Sequence, residues 1–137
     1  MVKSWGVPGA VLLFGVFVTA TTFSGGSPVV AVVEGLLFLG LAILLSPLGF
    51  PRSGSAREAG GVVVYWRPGC PYCLRLRLAL LGVAERASWV NIWRDPEAAA
   101  AVRAVADGNE TVPTVVIAGD AMVNPPPGEI RRRLRTG

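Results

Sequence analysis

The chain has 137 residues, with 13 Lys+Arg against 9 Asp+Glu, no His, and a net charge of +4. It is 52% hydrophobic and only 16% charged, where a soluble domain carries about a quarter charged residues. That imbalance excludes an ordinary soluble domain along the whole length, and the missing His removes any site built on imidazole. The apolar excess is local: between Lys3 and Arg52 the only ionisable side chain is Glu34, while 11 of the 13 basic residues lie from Arg57 onward.

In chain order, the first element is the uncharged stretch VPGAVLLFGVFVTATTF, Val7 to Phe23. The second is VVAVVEGLLFLGLAILLSPLGF, Val29 to Phe50. A membrane span needs about 20 apolar residues, so residues 1–50 read as a two-helix transmembrane hairpin turned at SGGSP. A cleaved signal peptide is the competing reading of the first stretch. A second apolar segment so close behind, and the poor cleavage pattern of TATTFSGGS, oppose it. Lys3 precedes the first span, Arg52 and Arg57 follow the second, and the turn between is neutral. Short basic flanks stay cytoplasmic, so a multi-pass plasma-membrane protein is expected, with its C-terminal part facing the cytoplasm. Glu34 is expected near the outer end of the second span, snorkelling to the interface or protonated rather than serving a function.

Residues 51–61, PRSGSAREAGG, read as a flexible linker. The remaining segment, 62–137, must fold on its own. VVVYW (Val62 to Trp66) is β-branched and aromatic between Gly-Gly and Pro-Gly, and so a buried strand. PYCLRLRLALLGVAE suggests a helix of about three turns, with Leu74, Leu78 and Leu81 on one face. SWVNIW (Ser88 to Trp93) is a second strand. The next helix opens with Asp95 as N-cap and Pro96 at its first position, and closes near Gly108. TVVI (Thr114 to Ile117) and AMV are strands around the turn AGD, and GEIRRRLR is a terminal helix with Ile130 and Leu134 on one side. The order is β-α-β-α-β-β-α. Right-handed crossover makes the first strand pair parallel, and the short last turn makes the final pair antiparallel. The expected architecture is α/β, a mixed four-stranded sheet with helices on its faces.

Both cysteines, Cys70 and Cys73, fall in RPGCPYCLR, where the first strand gives way to the helix. A structural metal site needs about four ligands, which a single chain with two Cys and no His does not supply, although a dimer could share a cluster between subunits. A structural disulfide belongs to oxidising compartments, and closing so small a loop constrains little chain. The remaining reading is a redox dithiol, for which C-x-x-C beside a βαβ pattern is the sequence signature. At the helix N-terminus the unpaired N–H groups and the dipole favour a Cys70 thiolate, aided by the charge of Arg67 and of Arg75. Cys73, one turn into the helix, is the more shielded and less acidic thiol. Pro71 stiffens the first turn without removing a needed donor.

VVVYWRPGCPYCLRLRLAL together with the downstream TVPTVVIAG resembles the glutaredoxins, over Gly61 to Leu134 and none of the apolar part. The resemblance implies a thioredoxin-like fold preceded by the hairpin, with Cys70 as nucleophile, Cys73 as resolving thiol and Pro113 in cis. It also implies thiol-substrate binding by Arg67, Tyr72 and the Thr111-Val112-Pro113 loop. Where glutathione-using glutaredoxins continue with Gly-Gly-x-x-Asp, this chain has Asn124-Pro125 within AMVNPPPGEI. In that respect it resembles the mycoredoxins, which act on mycothiol mixed disulfides. The implied partners are protein mixed disulfides, a small thiol (mycothiol in preference to glutathione) and membrane lipid, with no nucleic acid. No metal or prosthetic group is implied, the small thiol being a co-substrate. Two alternatives remain: a thioredoxin-like electron donor reduced by a flavoenzyme, and a non-catalytic membrane adaptor built on the same fold. The basic RRRLR could touch anionic lipid or form a solvated helix face.

Overall fold

A computed structural model describes residues 5–46, 48, 50 and 61–136. Its contacts divide the chain into two compact units, Met1–Gly49 and Phe50–Gly137.

The first unit is a helical hairpin, α1 (Gly6–Ser24) and α2 (Pro28–Leu45). At 1.5 Å per residue each helix is about 27 Å long, close to the thickness of a bilayer's hydrocarbon core. Their mean hydropathies are 1.8 and 2.5, and only 11% of either span is buried within the protein. The helices are thus long and apolar enough to cross a membrane. They turn outward side chains such as Leu13 and Val29, each 75% exposed, that water would penalise. They meet where Gly15 lies against Phe38; a Cβ on Gly15 would come within 2.5 Å of the Phe38 Cβ. The turn uses Gly26 at φ +86°, a conformation open to glycine at no steric cost. The second span is shorter than its apolar run. Helix α2 stops at Leu45, where Ser46 Oγ donates to Ile43 O at 2.8 Å. Glu34 lies about two turns into α2.

The second unit is a four-stranded sheet in the order β2-β1-β3-β4, formed by β1 (Val62–Trp66), β2 (Ala87–Asn91), β3 (Thr114–Ile117) and β4 (Asp120–Val123). Strands β1 and β2 are parallel, whereas β1–β3 and β3–β4 are antiparallel. Helices α3 (Pro71–Ala79), α4 (Pro96–Val105) and α5 (Pro127–Thr136) complete the expected β-α-β-α-β-β-α order. This is the mixed sheet with helices of the thioredoxin-like fold. Asp95 caps α4, its Oδ1 accepting from the N–H groups of Glu97 and Ala98 at 3.0 and 3.1 Å. Ile130 and Leu134 are buried from α5, as their spacing requires. Of the expected linker, 51–60 lies outside the described residues.

Three local expectations change. Strand β2 begins and ends earlier than Ser88–Trp93, because Asn91 Oδ1 accepts the Trp93 N–H at 3.0 Å and turns the chain. The buried face of α3 is Cys73, Leu76 and Leu80, whereas Leu78 and Leu81 are 47% and 57% exposed. With Cys70 as N-cap, Cys73 must face the sheet, and steps of three and seven residues then carry Leu76 and Leu80 inward. Phe50, expected at the end of the second span, belongs to the C-terminal unit. Its ring stacks on Trp66 at 3.8 Å and meets the edge of Trp89 at 5.8 Å, while the Arg77 guanidinium lies 5.3 Å above it. Trp66 is accordingly a buried core residue, 3% exposed.

Candidate active site

Strand β1 delivers the chain to Arg67, and Gly69, at φ +76°, turns it so that Cys70 caps α3. The Cys70 side chain takes the place of a capping oxygen: its Sγ accepts the Cys73 N–H at 3.3 Å. As a thiol it also donates to Val112 O at 3.4 Å. Both cysteines are free thiols. Cys70 is 6% exposed and Cys73 fully buried.

This setting separates the two acidities. The Cys70 thiol is lowered from 9.0 to about 6, first by the hydrogen bond from the Cys73 thiol. Burial opposes this, and the N–H groups of Cys73 and Tyr72 and the charge of Arg67 add to it. Cys73 is raised, first by that same hydrogen bond to Cys70, then by burial and by the charge on Cys70. With the Cys70 value near 6, thiolate outnumbers thiol by roughly ten to one at pH 7. The pair therefore supplies one ready nucleophile and one held proton. Sequence reasoning foresaw the helix terminus and Arg67, but not the Cys73 thiol as the leading donor.

The opposite wall is the loop before β3. The Val112–Pro113 peptide bond is cis, and both residues are buried. Thr111 is exposed at the loop's tip, where its carbonyl accepts from Thr114 Oγ1 at 2.8 Å. Beside the thiols lies a cavity of about 250 Å³, walled by Tyr72, Arg75 and Leu76 of α3, by Pro113, and by the run Asn124 to Pro127. The site residues expected from sequence thus form two groups. Cys70, Cys73, Arg67 and Val112 surround the sulfur, while Tyr72 and Pro113 face the cavity; Arg67, Thr111 and Val112 are not part of its wall. Tyr72 is 55% exposed at the rim.

Asn124, at φ +48°, donates its N–H to Pro113 O at 2.8 Å, which ties the post-β4 segment to the cis-proline loop. Sequence reasoning singled out Asn124-Pro125 but not Arg75, Leu76, Pro126 or Pro127 as cavity walls. The run of three prolines was the visible signal. Two arginines of the basic C-terminal run are used inside the unit: Arg131 donates to Ala79 O at the end of α3, and Arg133 pairs with Glu129 at 2.8 Å.

A family profile described as Glutaredoxin matches residues 62–122. Two curated proteins named as glutaredoxins, from Mycobacterium tuberculosis strains CDC 1551 / Oshkosh and ATCC 25618 / H37Rv, are each similar to this chain. Each is 38% identical over 74 residues, covering 53% of this chain and 88% of theirs.

Proposed function

Because the chain belongs to the glutaredoxin family and is thereby a thiol–disulfide oxidoreductase, we propose that Cys70 and Cys73 are its reacting dithiol, held on a membrane anchor, and that its substrates are mixed disulfides of proteins with a small thiol. The observation that carries the reading is the Cys70 sulfur at the start of α3, accepting the Cys73 N–H and lowered to about 6.

The Cys70 thiolate attacks the small-thiol sulfur of a protein–S–S–R disulfide. The new Cys70–S–S–R bond forms as the old S–S bond breaks, and the protein leaves as a thiolate that takes a proton from water. A second small-thiol anion then attacks the sulfur of R, forming R–S–S–R and restoring the Cys70 thiolate. Alternatively Cys73 attacks the Cys70 sulfur, expelling the small thiol and leaving a Cys70–Cys73 disulfide. The first step prepares that second route. Once the Cys70 sulfur is in a mixed disulfide it carries no charge, so the hydrogen bond and the charge that hold the proton on Cys73 are lost. Arg67 favours the anion, and Tyr72 with the Thr111-Val112-Pro113 loop holds the small thiol. That thiol is a co-substrate, and the scheme uses no resident cofactor.

The preferred small thiol is mycothiol rather than glutathione. Asn124-Pro125 replaces a glycine-rich, acid-bearing segment, and its position on the cavity beside Tyr72 and Pro113 supports the reading. Losing one or two hydrogen bonds to the charged γ-glutamyl end, at about 1.5–3 kcal/mol each, weakens glutathione by at least about tenfold. The test compares kcat/KM on one model protein conjugated to either thiol. Equal or better turnover of the glutathione conjugate discards the mycothiol preference and leaves the broader activity standing.

Helices α1 and α2 serve as the anchor, contacting lipid along their exposed faces. Lys3, Arg52 and Arg57, which enter by sequence alone, support a cytoplasmic orientation for the redox unit.

A further inference from the structure

The outward side of α3 is apolar, although the helix belongs to the redox unit and not to the hairpin. Cys73, Leu76 and Leu80 take its inner side. Leu74 and Leu78, four residues apart, share the opposite side, and Leu81 follows in the turn after the helix. Leu78 and Leu81 are 47% and 57% exposed. Single exposed leucines are ordinary, but leucines grouped on one face mark a contact surface.

The charges around that face say what it contacts. Helix α3 carries no acid, and between β1 and β2 Glu85 alone stands against Arg67, Arg75, Arg77 and Arg86. Helix α5 lies alongside: Arg131 donates to Ala79 O, so the side of α5 that bears Arg131 meets the end of α3. Arg135, four residues on, shares that side, and both Arg132 and Arg135 are exposed. The acid of α5, Glu129, is paired with Arg133 at 2.8 Å.

We propose that the leucine face of α3, with Arg132 and Arg135 of α5, docks on the anionic surface of a lipid bilayer. The proposal rests on the anchor reading above and extends lipid contact from the hairpin to the redox unit. An apolar stripe with basic flanks is the pattern that lies in a membrane interface, leucines in the acyl boundary and arginines among the phosphates. Each arginine near such a surface favours contact about fivefold. A soluble protein partner would need an apolar groove ringed by acids, whereas the anchor keeps a bilayer at high effective concentration around the redox unit. Because Cys70 caps α3, docking holds the reacting sulfur at headgroup level, where mixed disulfides on membrane-proximal cysteines reach it.

The test is hydroxyl-radical footprinting, read by mass spectrometry, on the full-length protein at one copy per nanodisc of phosphatidylglycerol or of phosphatidylcholine. Leu78 and Leu81 should oxidise at least about fivefold more slowly in phosphatidylglycerol. Val105 of α4, 44% exposed, is the reference and should not change. Arg132→Glu with Arg135→Glu, at exposed positions away from the thiols, should return Leu78 and Leu81 to their phosphatidylcholine rates while the melting temperature stays that of the parent. Rates equal in the two lipids, or unmoved by the arginine variant, overturn the docking. So does protection that appears only with two copies per disc, which would assign the face to a second copy of this chain. Leu13 of α1 reports the anchor separately and should be protected in both lipids. If Leu13 is protected while Leu78 and Leu81 are not, the docking fails and the anchor stands. If Leu13 oxidises freely, the anchor fails, and the Leu78 and Leu81 rates on phosphatidylglycerol still decide the docking.

Discussion

Replacing Cys73 by alanine removes the donor that lowers Cys70 most, and the consequence can be worked through. A hydrogen bond to a charged group contributes about 1.5–3 kcal/mol. At about 1.4 kcal/mol per pKa unit, its loss raises the Cys70 thiol by about one to two units, from about 6 to between about 7 and 8. The thiolate share at pH 7 then falls from about nine-tenths to between about a half and a tenth. Cys73→Ser keeps an O–H donor in the same place and should stay much closer to the parent value. The assay is the pH dependence of the alkylation rate. In either variant it reports Cys70 alone, because the chain has two cysteines. A midpoint still near 6 in Cys73→Ala would refute the assignment and credit the N–H groups of Cys73 and Tyr72 and the charge of Arg67 instead. The sign also fixes a stability profile. Cys70 is lower in the folded chain than its ordinary 9.0, so its ionisation contributes stability that is complete above pH 9 and lost as pH falls through about 6. The stability gap between the reduced protein and Cys70→Ser should therefore narrow across that window in denaturant titrations.

Cys70→Ser should abolish turnover, whereas Cys73→Ser should accumulate a Cys70 mixed disulfide visible by mass spectrometry; turnover by Cys70→Ser would displace Cys70 as nucleophile. Phe50→Ala removes a ring 6% exposed that stacks on Trp66; it should cost the redox unit about 3–5 kcal/mol and lower the melting temperature of the full chain in detergent by more than about 10 °C. An unchanged melt would mean that Phe50 does not belong to that core in solution. In intact cells an impermeant thiol reagent should label Cys70 only after permeabilisation, and labelling beforehand would reverse the expected orientation.

Much of the molecule was legible in local signals. Two apolar runs of spanning length, broken only by Glu34, pointed to two long helices joined at SGGSP, and the structure forms them as a hairpin. The β-branched runs bounded by Gly and Pro marked β1 and β3, and Asp95-Pro96 marked the start of α4. The motif around Cys70 pointed to a helix N-terminus, where the sulfur caps the helix; its raised acidity comes first from the Cys73 thiol, with the backbone N–H groups adding to it. The face of α3 was not legible in this way. Leu74, Leu78 and Leu81 mark one face of the helix and Leu76 and Leu80 the opposite one, so periodicity cannot choose between them. Only packing Cys73 against the sheet makes Leu76 and Leu80 the inward pair. Phe50 continues an apolar run by sequence, yet it leaves the hairpin because Trp66, Trp89 and Arg77, brought together by the sheet and α3, offer it a closer-fitting environment than its neighbours in the chain. The cavity is the clearest case. Tyr72 and Arg75 stand about fifty residues from Asn124-Pro125, and they face one another only because β3 pairs antiparallel with β1, setting Pro113 and the segment after β4 beside the start of α3. Residue types and spacings carry the chemistry of a cysteine, a cap or a span, since each is decided within a few residues. Which distant side chains share a wall is decided by strand register, and that exists only once the sheet has formed.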